Sequence, residues 1–194
     1  ALSGRVFCSS ASADRLAVAR EWVEAQPRDR PLWIVGVDSG VGRELIRSVL
    51  GCTESAFGWR AGSLSDFAGE LAASELARDV MLPVKHDILT SLCSRVLEET
   101  EAAGALEALA PLAGMPGLPR ALVRTFTELR GLDVPIVPEE VLSRELSTLF
   151  LGYEKALVRE GFADEPQTSR IAVRELATDA VRGLSVLIVD PHCR

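Results

Sequence analysis

The turn Cys8-Ser9-Ser10-Ala11-Ser12-Ala13-Asp14-Arg15-Leu16 follows a short apolar segment and precedes a helical pattern. Strand, tight turn and helix in that order are the setting of a nucleotide-binding loop. A Walker A loop reads G-x-x-x-x-G-K-[ST]. Its glycines let backbone amides approach phosphates, its lysine neutralises their charge, and its hydroxyl holds magnesium. Laid over that pattern, Cys8 and Ala13 stand at the glycine positions, Asp14 at the lysine and Arg15 at the hydroxyl residue. An aspartate beside a triphosphate repels where attraction is needed. The expectation is a loop that keeps a P-loop-like path and binds neither ATP nor any other cofactor.

Other chemistry-bearing residues give less. Asp38-Ser39-Gly40-Val41-Gly42 contains a G-x-G, but Leu45 occupies the third glycine position of a dinucleotide fingerprint, so Gly40 and Gly42 read as turn residues. Asp190 ends an apolar run, where a magnesium-holding aspartate would sit, but Pro191 follows it instead of a catalytic Glu. His86 and His192 are the only histidines, which leaves almost nothing for a histidine-based triad, and His86 beside Asp87 reads as a surface or capping residue. Cys8, Cys52, Cys93 and Cys193 have neither C-x-x-C nor zinc spacing; they read as reduced, mostly buried thiols of a cytoplasmic protein, with no metal site.

These residues need elements to position them. Four segments read as strands: Arg5–Cys8, Leu32–Val37, a weaker Phe57–Ala61, and Leu184–Asp190. The second and fourth are continuous apolar runs, the pattern of strands covered on both faces in a parallel sheet. Helical spacing lies between the first three. Leu16, Ala19, Trp22 and Val23 form one face, ended by Pro27; Leu45, Ile46, Val49 and Leu50 form a second, closed by Gly51. Phe67, Leu71 and Leu76 form a third, with Ser63 or Ser65 as its N-cap.

From 76 to 180 no convincing strand appears. Helices are expected around Ile88–Leu97, Leu118–Leu129, from Pro138 through Leu157, and from Pro166 through Leu176, with a Gly114–Pro119 loop between the first two. Acidic Glu98–Glu101 at a helix end opposes the dipole and predicts fraying. The fold class is therefore α/β: residues 1–75 and 181–194 build a parallel-sheet core, and 76–180 form an inserted all-helical subdomain. A strand this close to the end of the chain reads as part of a sheet that continues elsewhere.

The chain has 194 residues and a net charge of −7. That excludes a nucleic-acid clamp built on overall positive charge. Residues 1–75 hold eight basic against ten acidic residues, and 76–180 hold eleven against seventeen, so the helical block carries most of the negative charge. It reads as a solvated face or as a docking face for a protein. All but two of the 21 basic residues are arginine. No apolar run reaches the roughly 18 residues of a membrane span, and the N-terminal stretch has no signal-peptide pattern.

The order of segments resembles the N-terminal part of an AddB-type subunit of bacterial helicase–nuclease DNA repair complexes, in the UvrD-like superfamily. The stretches that carry the resemblance are Val6–Val23, Trp33–Val37 through Leu45, Gly62-Ser63-Leu64-Ser65-Asp66-Phe67-Ala68, Thr127-Glu128-Leu129-Arg130, Tyr153–Leu157 with Gly161-Phe162-Ala163-Asp164, and Leu184–Asp190. The resemblance implies a RecA-like P-loop NTPase-type sheet with an inserted helical subdomain, and a longer protein with a PD-(D/E)XK nuclease. It also implies DNA and a motor helicase subunit as partners, with DNA contact at the end of Val35–Val37 and around Ser63 and Ser65. The departure at Ala13-Asp14-Arg15 fits an inactivated helicase core. A protein-interaction scaffold and a noncanonical nucleotide hydrolase remain as alternatives.

Overall fold

A computed structural model describes residues 4–52, 54–132, 141–178, 181 and 183–189. The elements in chain order are α1 (Ser12–Glu24), β1 (Leu32–Val35), α2 (Ser39–Leu50), β2 (Trp59–Gly62), α3 (Leu64–Arg78), β3 (Leu82–Pro83), α4 (His86–Ala102), α5 (Gly117–Leu132), α6 (Val141–Glu160), β4 (Phe162–Ala163), α7 (Glu165–Leu176) and β5 (Ser185–Ile188). The protein is mixed α/β and 63% helical, with small parallel sheets. It divides into two compact units, one of Ala1–Glu70 with Glu175–Arg194 and one of Leu71–Arg174.

In the first unit β1 lies at the centre of a parallel sheet ordered β2-β1-β5. Leu32 pairs with Trp59 on one side and Ser185 on the other, and Val35 with Gly62 and Ile188. All four β1 residues are buried, as a continuous apolar run demands. Leu32 and Ile34 face Ala19 and Val23 of α1 and Leu45 of α2. On the opposite face the Trp33 ring meets Phe67 of α3, centroids 5.3 Å apart. β5 departs from the same expectation. Val186 and Ile188 share the Trp33 face and are exposed there, so only one side of this strand is covered among the described residues.

The reading of Gly40 and Gly42 changes, and that of Gly51 holds. Gly40 and Gly42 lie in the first turn of α2, not in a turn before it. A Cβ on Gly42 would stand 2.7 Å from the Ala61 Cβ and 3.2 Å from an Ile34 methyl, so this glycine lets α2 seat against the sheet. Gly51 closes α2 at φ 62, a conformation that costs a residue with a Cβ.

Arg5–Cys8 is not a strand. Val6 is 90% and Phe7 52% exposed, and the segment carries no assigned element. Four residues without a partner strand gain too little burial to offset the cost of ordering them. The third strand begins at Trp59, since Phe57 and Gly58 form a turn.

The second unit is a helical core with a small parallel ladder, so it is not all-helical. Leu89, Leu92, Val96 and Leu97 of α4 meet Leu122, Val123 and Phe126 of α5 and Leu149, Tyr153 and Leu157 of α6. Phe126 makes tilted or edgewise ring contacts with Phe150 and Tyr153 at 5.3 and 5.5 Å. α4 runs to Ala102 through its acidic tail. Two-residue strands β3 and β4 pair in parallel, beside a cluster of Ala72, Leu76, Ala163 and Ile171. Gly117 and Pro119 lie inside α5. The expected Pro138 start of α6 falls outside the described residues, and Val141 and Leu142 are exposed. Among the described residues, no helix is long and apolar enough to cross a membrane.

Candidate functional site

The N-terminal turn closes on itself. The Ser9 hydroxyl donates to the Asp14 carboxylate at 3.1 Å and accepts from the Ala11 amide at 3.1 Å. Arg15 Nη1 donates to the Ser9 carbonyl at 2.6 Å. Cys8 and Ala13 are exposed, and Ala13, Asp14 and Arg15 belong to the first turn of α1. The charged groups of this turn thus point into its own backbone and hydroxyls, with an aspartate at the start of the helix.

At the starts of the next two helices a carboxylate accepts backbone amides. Asp38 caps α2, accepting from the Gly40 amide at 2.7 Å and the Val41 amide at 3.4 Å. Asp66 Oδ2 accepts from the Ser63 amide at 2.9 Å and its hydroxyl at 2.8 Å, while Ser63 Oγ accepts from the Asp66 amide at 3.2 Å. This reciprocal capping box makes Ser63 the N-cap and leaves Ser65 exposed in the first turn of α3. The Gly36 amide donates to the Gly62 carbonyl at 3.0 Å, so the ends of β1 and β2, with Ser63 beyond, adjoin. Helix N-termini attract anions through free amides and dipole. Here carboxylates already occupy two of these three termini and a third lies in the first turn of the remaining one.

Three stretches far apart in sequence converge in the second unit. Arg130 donates from Nε to Asp164 Oδ2 at 2.7 Å and from Nη1 to Glu154 at 2.5 Å. Asp164 is fully buried, and its other oxygen accepts from the Gln167 amide at 3.0 Å, capping α7. Arg170 donates to the Arg130 carbonyl at 2.9 Å. A second carboxylate does similar work: buried Glu145 accepts from the amides of Glu107, Ala108 and Leu109 at 2.6, 2.8 and 2.9 Å. Burial pushes its carboxyl up, and the three amides together bring it below its ordinary value. Sequence spacing gave no sign of either network.

The remaining expected residues do not assemble into a reactive centre. His86 is exposed at the first position of α4. Cys8 and Cys52 are exposed, against the expectation of mostly buried thiols; Cys93 is buried, and burial pushes it to about 12. Burial also raises the Tyr153 phenol, whose hydroxyl has no partner among the described residues. Among the described residues no group of three His, Cys, Asp or Glu side chains could hold a metal. Asp190, His192 and Cys193 lie outside the described residues. No family model and no curated protein matches the chain.

Proposed function

We propose that the chain is a non-catalytic, helicase-like DNA-processing module of an AddB-type break-repair helicase–nuclease, working beside a motor helicase subunit. In this reading the first unit is a RecA-like sheet and the residues between β2 and β5 carry an inserted helical subdomain. The observation that carries it is the way β5, with residues 36–184 intervening, returns to pair in parallel with β1. In this reading the aspartates at the starts of α1, α2 and α3 would disfavour nucleotide: Asp14, Asp38 and Asp66 place negative charge where phosphate would need positive charge. DNA would pass the carboxyl ends of β1 and β2, the usual ligand side of a parallel sheet, touching Ser63 and Ser65.

The test has two arms. Labelled single-stranded DNA is titrated into the purified chain near physiological salt, and Ser65→Cys carrying a photo-crosslinker is placed in the full-length protein with its motor subunit. The expected result is no saturable binding by the chain and a DNA crosslink in the complex. A complex that binds DNA without a crosslink from this position overturns the assignment. So does a gene that encodes no nuclease region downstream. Micromolar binding of Mg-ATP in a calorimetric titration would instead support the nucleotide-hydrolase alternative.

A further inference from the structure

β2 is the last strand of its sheet among the described residues. The Leu32 amide donates to the Gly58 carbonyl and the Gly36 amide to the Gly62 carbonyl, so the even-numbered positions of this strand face β1. Alternation then turns the backbone groups of Trp59 and Ala61 to the outer edge. Along that edge runs a groove of 500 Å³ lined by Trp33, Ile46 and Trp59 and by Arg43, Arg47 and Arg60, against one acid, Glu70. Arg60 pairs with Glu70 and Arg47 with Glu44, while Arg43 makes no ion pair or hydrogen bond among the described residues. The Trp59 indole N–H is buried and has no acceptor among them.

We propose that this edge is a strand-addition site for an extended acidic peptide. The reading is independent of any role in DNA handling. Peptide amides and carbonyls would pair with Trp59 and Ala61, and peptide carboxylates would meet the arginines. The spacing fits. Arg43 and Arg47 stand one turn apart on α2, a rise of about 6 Å, and alternate residues of a strand are about 6.6 Å apart. An acid at every second position therefore reaches both. The groove is positive on a chain whose net charge is −7, which selects for an acidic partner. Single-stranded nucleic acid is the weaker occupant, because a base needs an open aromatic face. The Trp59 ring already carries Arg28 at 4.6 Å, and Trp33 is 7% exposed.

The experiment titrates a fluorescent Glu-Val-Glu-Val-Glu peptide into the full chain. Controls are Lys-Val-Lys-Val-Lys, the acidic peptide N-methylated at alternate residues, and oligo-dT. The expected result is saturable binding of the acidic peptide alone, with a change in tryptophan fluorescence. Two variants test the contacts. Ala61→Pro removes one outward N–H at an edge position that tolerates proline, and Arg43→Glu reverses an exposed charge; each should weaken binding about tenfold or more. Circular dichroism checks that both variants fold. No binding of the acidic peptide, equal binding of the N-methylated peptide, unchanged affinity in folded Ala61→Pro or Arg43→Glu, or preference for oligo-dT each overturns the proposal.

Discussion

Arg130 and Glu145 show how single charged residues hold the second unit together. Arg130 neutralises Asp164, which has no access to water. Replacing Arg130 by Met keeps most of the volume and strands a buried carboxylate. Loss of one partner from a buried pair costs about 3–5 kcal/mol, so chemical denaturation of Arg130→Met should show a midpoint far below the parent's. Glu145 behaves differently because its partners are backbone amides. Its carboxyl titrates lower in the folded chain than in the unfolded one. The stability it contributes is therefore complete above the unfolded-state value of about 4.3 and drains away as pH falls toward the folded-state value. Thermal melts should place Glu145→Gln below the parent at pH 7, and the gap should narrow as pH is lowered to about 3. An equal gap at both pH values would mean that the carboxylate charge contributes nothing.

Elements whose cause is local could be read from the sequence, and elements whose cause is remote could not. The helices followed from periodic apolar residues, Gly51 marked one end, and of the two candidate caps Ser63 and Ser65 the structure uses Ser63. Gly42 looked like a turn residue because what constrains it is Ala61, nineteen positions away. Gly42→Ala should cost about 1–3 kcal/mol through overpacking, visible in the denaturation midpoint. Arg5–Cys8 has the composition of a strand, but a strand also needs a neighbour, and the composition of four residues does not reveal one. β3 and β4 escaped notice since two residues have no period. The Arg130 network joins positions 24 and 34 apart; its members lie in stretches that carry the family resemblance, but no spacing marked them as partners of one another. Val80, between α3 and β3, holds φ 54 with its side chain 85% exposed. A β-branched residue there is strained by about 1–2 kcal/mol. Val80→Gly relieves that strain and loses no buried contact, but it loosens the unfolded chain. A net gain of about 0.5 kcal/mol is expected, read as a higher melting temperature.

At the scale of the whole molecule, the two units differ in how they are cut from the chain. Leu71–Arg174 is one continuous stretch with its own apolar core, whereas the other unit is assembled from both ends of the sequence. The 71–174 stretch expressed alone should therefore keep helical circular dichroism and melt cooperatively. A featureless spectrum would show that its core depends on the flanking sheet. The remote return of β5 was legible as an apolar run, but its register beside β1, Leu32 against Ser185, was set by pairing that no local pattern records.

That register has a consequence for the birth of the protein. Ser185 is synthesised 153 residues after Leu32. At about 5–20 residues per second the ribosome needs roughly 8–30 s to supply it. Throughout that interval one edge of β1 stays unpaired, while the continuous 71–174 stretch can condense as soon as it clears the exit tunnel. Pairing of β5 with β1 joins residues 153 positions apart, a non-local contact of the kind that slows folding. Until Val189 is made, Leu32 and Ile34 of the nascent sheet lack a neighbour that shares their buried cluster in the folded protein.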